Sequence, residues 1–332
     1  MKINLDNHNL KKVNDLFLIN EKNIEVSDTI LDFLYFSNIA KDEKQAAEIK
    51  KHINPKVFHK LDKNDYLKNP YVKNIKLDNI KENKYQFHKN HYEPNECILY
   101  TEIDVDSNYN EITHLGYFDD TFSYLELLDG KDIWMLITPH EINTMKKAIS
   151  NAKGKVITFG LGLGYFSYMC SLKEDVESVT IIEKDKTIIS LFEKHLLPQF
   201  ENKDKIKIIN DDALNYIDNK SFDYDYAFID LYKDIEDGLP LYIKMFQKAK
   251  KHSNTRFDYW IEISMLIMLR RCLITLLYEE KNNFEDDNTE LSLYDVIILK
   301  FKNILKDYQI NTFEDVKKLI SFDNIKQLIY KL

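Results

Sequence analysis

A chain of 332 residues that is 44% hydrophobic can bury a full core and has room for two domains, which excludes a disordered protein. Its net charge of −9 excludes a general phosphate-backbone binder, because such proteins need a cationic face to displace counterions. The three cysteines, Cys97, Cys170 and Cys272, are far apart and odd in number, so neither a disulfide framework nor a thiolate zinc site is indicated, and a reducing cytoplasm fits best.

The opening Met1-Lys2-Ile3-Asn4-Leu5-Asp6 lacks the apolar stretch of a signal peptide. Residues 1–70 read as a helical region. Ile30, Leu31, Phe33, Leu34 and Phe36 stand at helical spacing, and a lysine-rich helix is expected over 42–51. Pro55 and Pro70 punctuate the stretch beyond that helix. Charge is uneven: residues 41–90 hold 13 Lys against 7 acids, and residues 91–150 hold 12 acids against 3 Lys. Solvated faces account for this, and the acidic stretch would also steer a cationic acceptor.

Residues 71–138 change to short β-like runs at 85–87, 97–100, 114–118, 124–128 and 133–137, a small antiparallel region. Asp129-Gly130 between the last two is a strong hairpin signal. His88 and His91 lie at i and i+3 without the glutamate a zincin requires, so no metal site is expected. Thr138-Pro139-His140-Glu141 then opens a helix, with Thr138 as N-cap, Pro139 at the first helical position and Glu141 three residues past the cap.

Strands expected at 156–159, 179–182, 206–209, 224–229 and 257–263 alternate with helices, the mark of an α/β domain over 139–263 with a parallel sheet and helices on both faces. Beyond Ser264 the chain reads as a helical extension over 264–332. Its apolar run at 261–278 is interrupted by Glu262, Arg270 and Arg271, so no membrane span is expected. Met265-Leu266-Ile267-Met268-Leu269 reads as core or as a homodimer face, and Arg270 and Arg271 as neutralising neighbouring acids.

Three of the seven glycines fall in Gly160-Leu161-Gly162-Leu163-Gly164, directly after the strand ending at Phe159 and directly before a helix over 165–172. Glycines there let the backbone turn tightly and approach a ligand, or merely shape the strand-to-helix turn. Tyr165 stands where the dinucleotide fingerprint needs a glycine, so NAD is not matched. The second strand ends at Glu183, 19 residues past Gly164, placed to accept hydrogen bonds from both ribose hydroxyls. Lys184, a surface residue beside it, belongs to the same cofactor-side set, and Asp185 starts the next helix. The third strand ends in Asn210-Asp211-Asp212-Ala213, where a carboxylate would meet an adenine amino group or cap the helix 213–217. The fourth ends in Asp230-Leu231-Tyr232-Lys233-Asp234. Ligands in open α/β sheets bind at the strands' carboxyl ends, so Asp230, Tyr232 and Asp234 face the reacting centre, with Asp234 also readable as a solvated loop acid.

Taken in order, residues 156–164, Glu183, Asp212-Ala213 and residues 223–230 resemble successive motifs of the class I S-adenosylmethionine-dependent methyltransferase superfamily, over about a third of the chain. The resemblance implies a Rossmann-like core in which Gly160, Gly162 and Gly164 cradle the amino-acid part of the cofactor, Glu183 holds the ribose and Asp212 the adenine, with Phe159, Leu161, Lys184, Asp211, Ala213 and Asp230 also in the cofactor-binding set. Leu128-Asp129-Gly130, Pro139-His140-Glu141 and the glycine loop are similar to the spermidine synthase group, which also places a small β-domain before such a core. That group's G-G-G-D-G loop and D-S-S-D-P motif are replaced here by Gly160-Leu161-Gly162-Leu163-Gly164 and Asp230-Leu231-Tyr232-Lys233-Asp234, and the glutamine after L-D-G is absent. Asp230 matches the first aspartate of the latter motif, that group's presumed base.

The leading expectation is therefore a cytoplasmic methyltransferase acting on a small molecule or a protein side chain. The DNA-amine signature of Asn or Asp, two prolines and an aromatic is absent. The alternatives are aminopropyl transfer from decarboxylated S-adenosylmethionine to a cationic amine, and a non-catalytic nucleoside-binding or assembly protein.

Overall fold

The computed structural model describes residues 1–37, 58–77, 79–219, 221–283 and 291–332. The lysine-rich helix expected over 42–51 lies outside the described residues. Two compact units are present. One comprises Phe36–Glu102 and Thr113–Glu262, the other Met1–Tyr35, Ile103–Ile112 and Ile263–Leu332.

The first of these units holds a four-stranded antiparallel sheet of β1 (Ile80–Glu82), β2 (Tyr85–Tyr92), β3 (Phe122–Asp129) and β4 (Asp132–Leu136), in the order β4-β3-β2-β1. Alternation decides its faces: Tyr85 and Phe87 are buried, while His88 and His91, an odd number of residues apart, point to opposite sides. Each histidine meets a glutamate, His88 with the buried Glu126 at 2.7 Å and His91 with Glu93 at 3.2 Å. Asp129 pairs with Asp132, so the loop between β3 and β4 is Gly130-Lys131, with Gly130 at φ +65°. Glycine at the first central position is the II′ signature, one residue later than an Asp-Gly type I′ turn would put it. A smaller sheet pairs Leu115–Tyr117 with Ile98–Leu99 antiparallel and with Phe58–Lys60 parallel.

Helix α1 (Pro139–Asn151) leads into the α/β core of β5 (Gly154–Phe159), α2 (Tyr165–Ser171), β6 (Val176–Glu183), α3 (Lys186–Leu191), β7 (Ile206–Asn210), α4 (Ala213–Tyr216), β8 (Tyr226–Ile229), α5 (Ile235–Ala249) and β9 (Arg256–Tyr259). All five strands are parallel, in the order β7-β6-β5-β8-β9. Val156, Ile157, Thr158 and Phe159 run buried without alternation, as a strand covered on both faces requires. The strand order reverses between β5 and β8, which fixes the place where a crevice opens. The chain is thus a Rossmann-like α/β fold with a helical tail.

Thr138 is the N-cap of α1 as expected, although its side chain makes no capping hydrogen bond. Two local expectations are corrected. The fifth strand stops at Tyr259 rather than Ile263: Ile261 takes φ +46°, a left-handed turn that no strand passes through, and a helix Glu262–Asn282 begins at the next residue. Arg271 pairs with Glu111 as expected, whereas Arg270 donates to the carbonyl of Ile320 at 3.0 Å and lies 3.9 Å from the centre of the Phe322 ring.

The second unit is built on helices Asn7–Ser37 and Glu262–Asn282, with Leu293–Ile304, Phe313–Leu319 and Phe322–Ile329. Met265, Leu266, Ile267 and Leu269 are buried in the fold of the chain itself. Among the described residues of the tail, Gln309–Ile310 forms a strand that pairs in parallel with Lys2–Ile3. Among the described residues no helix is long and apolar enough to cross a membrane. No group of three His, Cys, Asp or Glu residues among them is arranged to hold a metal ion.

Candidate active site

A cleft of about 450 Å³ opens at the carboxyl ends of β5, β6, β7 and β8, within the usual range for small-ligand sites. Its walls include Gly160, Leu161, Gly162, Glu183, Lys184, Asp211, Asp212, Ala213, Asp230, Tyr232 and Asp234, all anticipated from the sequence. Phe159 and Gly164 do not reach it. Phe159 is fully buried against Phe222, and a Cβ on Gly164 (φ +75°) would sit 2.4 Å from the ring of Phe192. Gly164 is thus glycine for packing of the helix start.

Gly160 has two reasons to be glycine: φ is +99°, and a Cβ would lie 1.8 Å from the carbonyl oxygen of Asp230. The loop after β5 therefore runs hard against the end of β8. At Gly162 (φ +56°) a Cβ would meet nothing closer than Met135 Sδ at 3.8 Å, so this stretch of backbone borders open space.

Glu183 holds the loop from the other side. One carboxylate oxygen accepts the backbone N–H of Leu161 at 3.2 Å and the other that of Asp185 at 2.8 Å. The next strand end is tied down by Asn210, whose amide donates to the carbonyls of Glu183 and Lys184, both at 2.9 Å. Asp212 accepts the N–H groups of Leu214 and Asn215 through Oδ1 as the N-cap of α4, and its side chain stays exposed. Asp212 thus caps α4, as one of its two sequence readings has it, and also lines the cleft.

Asp230 is part-exposed along the cleft, but protein crowds its carboxyl, and no described residue donates a hydrogen bond to it. Desolvation, with the Glu141 carboxylate second, pushes its pKa well above the usual carboxylate range. A carboxyl so placed keeps its proton to higher pH than a surface aspartate. Tyr232 is spoken for: its hydroxyl donates to the carbonyl of Trp260 at 2.6 Å and its ring stacks on that indole. Burial, then Asp230, push its pKa well up, so it stays protonated and shapes the wall. Asp234 is the N-cap of α5 in a capping box with Asp237, its Oδ1 accepting from Glu236 and Asp237.

Sequence reading misses part of the wall. Trp134 and Met135 of β4, Glu141 of α1, Lys233 and Trp260 all line the cleft. In the sequence Glu141 is marked only by its place in a helix start, and Trp134 and Met135 only as strand residues. The indole N–H of Trp134 is buried without a hydrogen-bond partner among the described residues, and the Lys233 ammonium lies 4.5 Å from the centre of its ring. The open backbone at Gly162 leaves room for a ligand in this cleft.

No family model and no curated protein sequence matches the chain. Solved structures similar to it include spermidine synthase from Thermotoga maritima, at 14% identity over 51% of this chain and 68% of that one, with a TM-score of 0.32. Another is a spermidine synthase in complex with the transition state analogue AdoDATO, at 16% identity over 51% of this chain and 60% of that one, also with a TM-score of 0.32.

Proposed function

We propose that the protein is a transferase that uses S-adenosylmethionine as a methyl donor to a small-molecule or protein acceptor. The observation that carries this reading is that the glycine loop, Glu183, Asp212 and Asp230 stand at successive strand ends around one cleft. Gly160 and Gly162 would receive the donor's amino-acid part, Glu183 the ribose hydroxyls and Asp212 the adenine amino group. When bound, the donor supplies an electrophilic methyl on its sulfonium. The chain's work is to orient the acceptor in line, exclude water with Trp260 and Tyr232, and take up a proton at the Asp230 carboxyl after the reaction.

A second reading, aminopropyl transfer from the decarboxylated donor, draws on the pairing of Asp230 with Glu141, which favours a cationic amine. Calorimetric titration with S-adenosylmethionine, its decarboxylated form and NAD tests both readings. Binding of the intact donor, lost in Glu183→Ala, supports methyl transfer, and preference for the decarboxylated form supports the second reading. Binding of neither sinks both.

A further inference from the structure

Positive φ at Gly160, Gly162 and Gly164 gives the loop between them many conformations to choose from, so neighbours must impose its shape. Two ties come from close by. The N–H of Leu161 goes to Glu183, and the N–H of Gly164 closes the turn on the Leu161 carbonyl at 2.9 Å. Leu163 lies one residue before Gly164, the N-cap of α2, so its carbonyl stands outside that helix's hydrogen-bond ladder. The hydroxyl of Tyr71 takes it instead, in a buried hydrogen bond between residues 92 positions apart. Both ends of the Leu163–Gly164 peptide are thereby fixed. Leu163 lines the cleft, and Tyr71 stands behind that wall.

Tyr71 belongs to the short helix Pro70–Asn74, which opens with Pro70 and with the side-chain oxygen of Asn69 accepting the Tyr71 N–H at 2.9 Å. A helix of five residues holds only where it packs, and this one packs on α2. The Tyr71 ring meets those of Tyr165 and Tyr168 edge-on, with centroids 5.5 and 5.4 Å away. Asn69 donates to the Tyr165 hydroxyl at 2.8 Å, and Asn74 to the Tyr168 hydroxyl at 2.9 Å. Burial pushes the pKa of Tyr71 up, so its hydroxyl stays protonated and keeps donating.

Resting on the donor proposed above, we infer that Tyr71 is a positioning residue for it, holding the glycine loop through the Leu163 carbonyl in the conformation that receives S-adenosylmethionine. Freeing that carbonyl spreads the loop over several conformations, and apparent affinity falls by the fraction that stays competent. The test is calorimetric titration of the full chain with S-adenosylmethionine and with 5′-methylthioadenosine, which lacks the amino-acid part, beside thermal unfolding, on wild type, Tyr71→Phe, Asn69→Ala and Asn74→Ala. Tyr71→Phe should bind S-adenosylmethionine about tenfold more weakly and methylthioadenosine less than about threefold more weakly. Asn74→Ala removes a hydrogen bond to the same helix α2 away from the loop, so it should lower the melting temperature and leave both affinities unchanged. An unchanged S-adenosylmethionine affinity in Tyr71→Phe, an equal loss for both ligands, or the same loss in Asn74→Ala overturns the inference, while wild-type binding leaves the donor reading standing. If S-adenosylmethionine does not bind wild type, the donor reading fails and takes this inference with it. Should Tyr71→Phe not fold, Asn69→Ala decides: it uncaps the helix that carries Tyr71 and should show the same split between the two ligands, and the absence of a split overturns the inference.

Discussion

Replacing Gly160 by alanine puts a methyl carbon 1.8 Å from the Asp230 carbonyl oxygen, a backbone atom that cannot rotate aside. Gly130 is the natural control: its φ of +65° is also left-handed, but nothing lies within 4 Å of its Cβ position. Left-handed backbone costs an L-residue roughly 1–2 kcal/mol, so Gly130→Ala should lose about that much. Gly160→Ala carries the same strain plus an overpacking cost of about 2 kcal/mol, because β5 and β8 must part at their ends. At roughly 2–4 °C for each kcal/mol in a unit of this size, the two variants should separate by about 4–8 °C in thermal unfolding. Nucleoside binding should also weaken in Gly160→Ala alone, since the displaced strand end carries Asp230 into the cleft. Equal melting temperatures for the two variants would refute the close approach of the glycine loop to β8.

Asp230→Asn tests the buried carboxyl. A folded pKa raised above the unfolded value leaves stability unaffected at low pH and erodes it as pH rises from the unfolded pKa through the folded one. The variant should therefore be more stable than wild type at neutral and alkaline pH, should lose that advantage in acid, and should lose transfer activity; chemical denaturation at several pH values checks the sign. Asp212→Ser keeps a capping oxygen for α4 but removes the charge, so unfolding should shift little while nucleoside affinity falls; Asp212→Ala should lose about 1 kcal/mol of stability as well. Glu183→Gln keeps the size of the side chain but removes the charge that two backbone N–H groups share, so melting temperature and nucleoside affinity should drop together.

The sheet and the strand-end residues were legible because they arise from local pattern. A run such as Val156-Ile157-Thr158-Phe159 before a glycine cluster specifies a buried strand and a tight turn, and a parallel strand ends where its ligand-facing residue begins. Glu183, Asp212 and Asp230 were found in this way. What could not be read depends on chain segments far apart in sequence. Trp134 and Glu141 line the cleft from β4 and α1, outside the parallel sheet, and the break in register that β4 makes against β3 at Trp134 has no sequence mark. Gly164 shows the converse: its place in the motif points to the ligand, but Phe192 and Phe200, contributed by the segment after α3, are what occupy the space beside it. The strand predicted to run to Ile263 failed for a local reason, since a β-branched residue at φ +46° is a conformation that propensity argues against.

The helical unit draws on three separated stretches, Met1–Tyr35, Ile103–Ile112 and Ile263–Leu332. On a ribosome this imposes an order of events. The α/β core has every one of its strands once Tyr259 has emerged, whereas the helix Asn7–Ser37, made before that core, waits for the Glu262–Asn282 helix before its own unit can close. Val13, Leu16 and Phe17, buried in the finished protein, stay uncovered until that later helix is made.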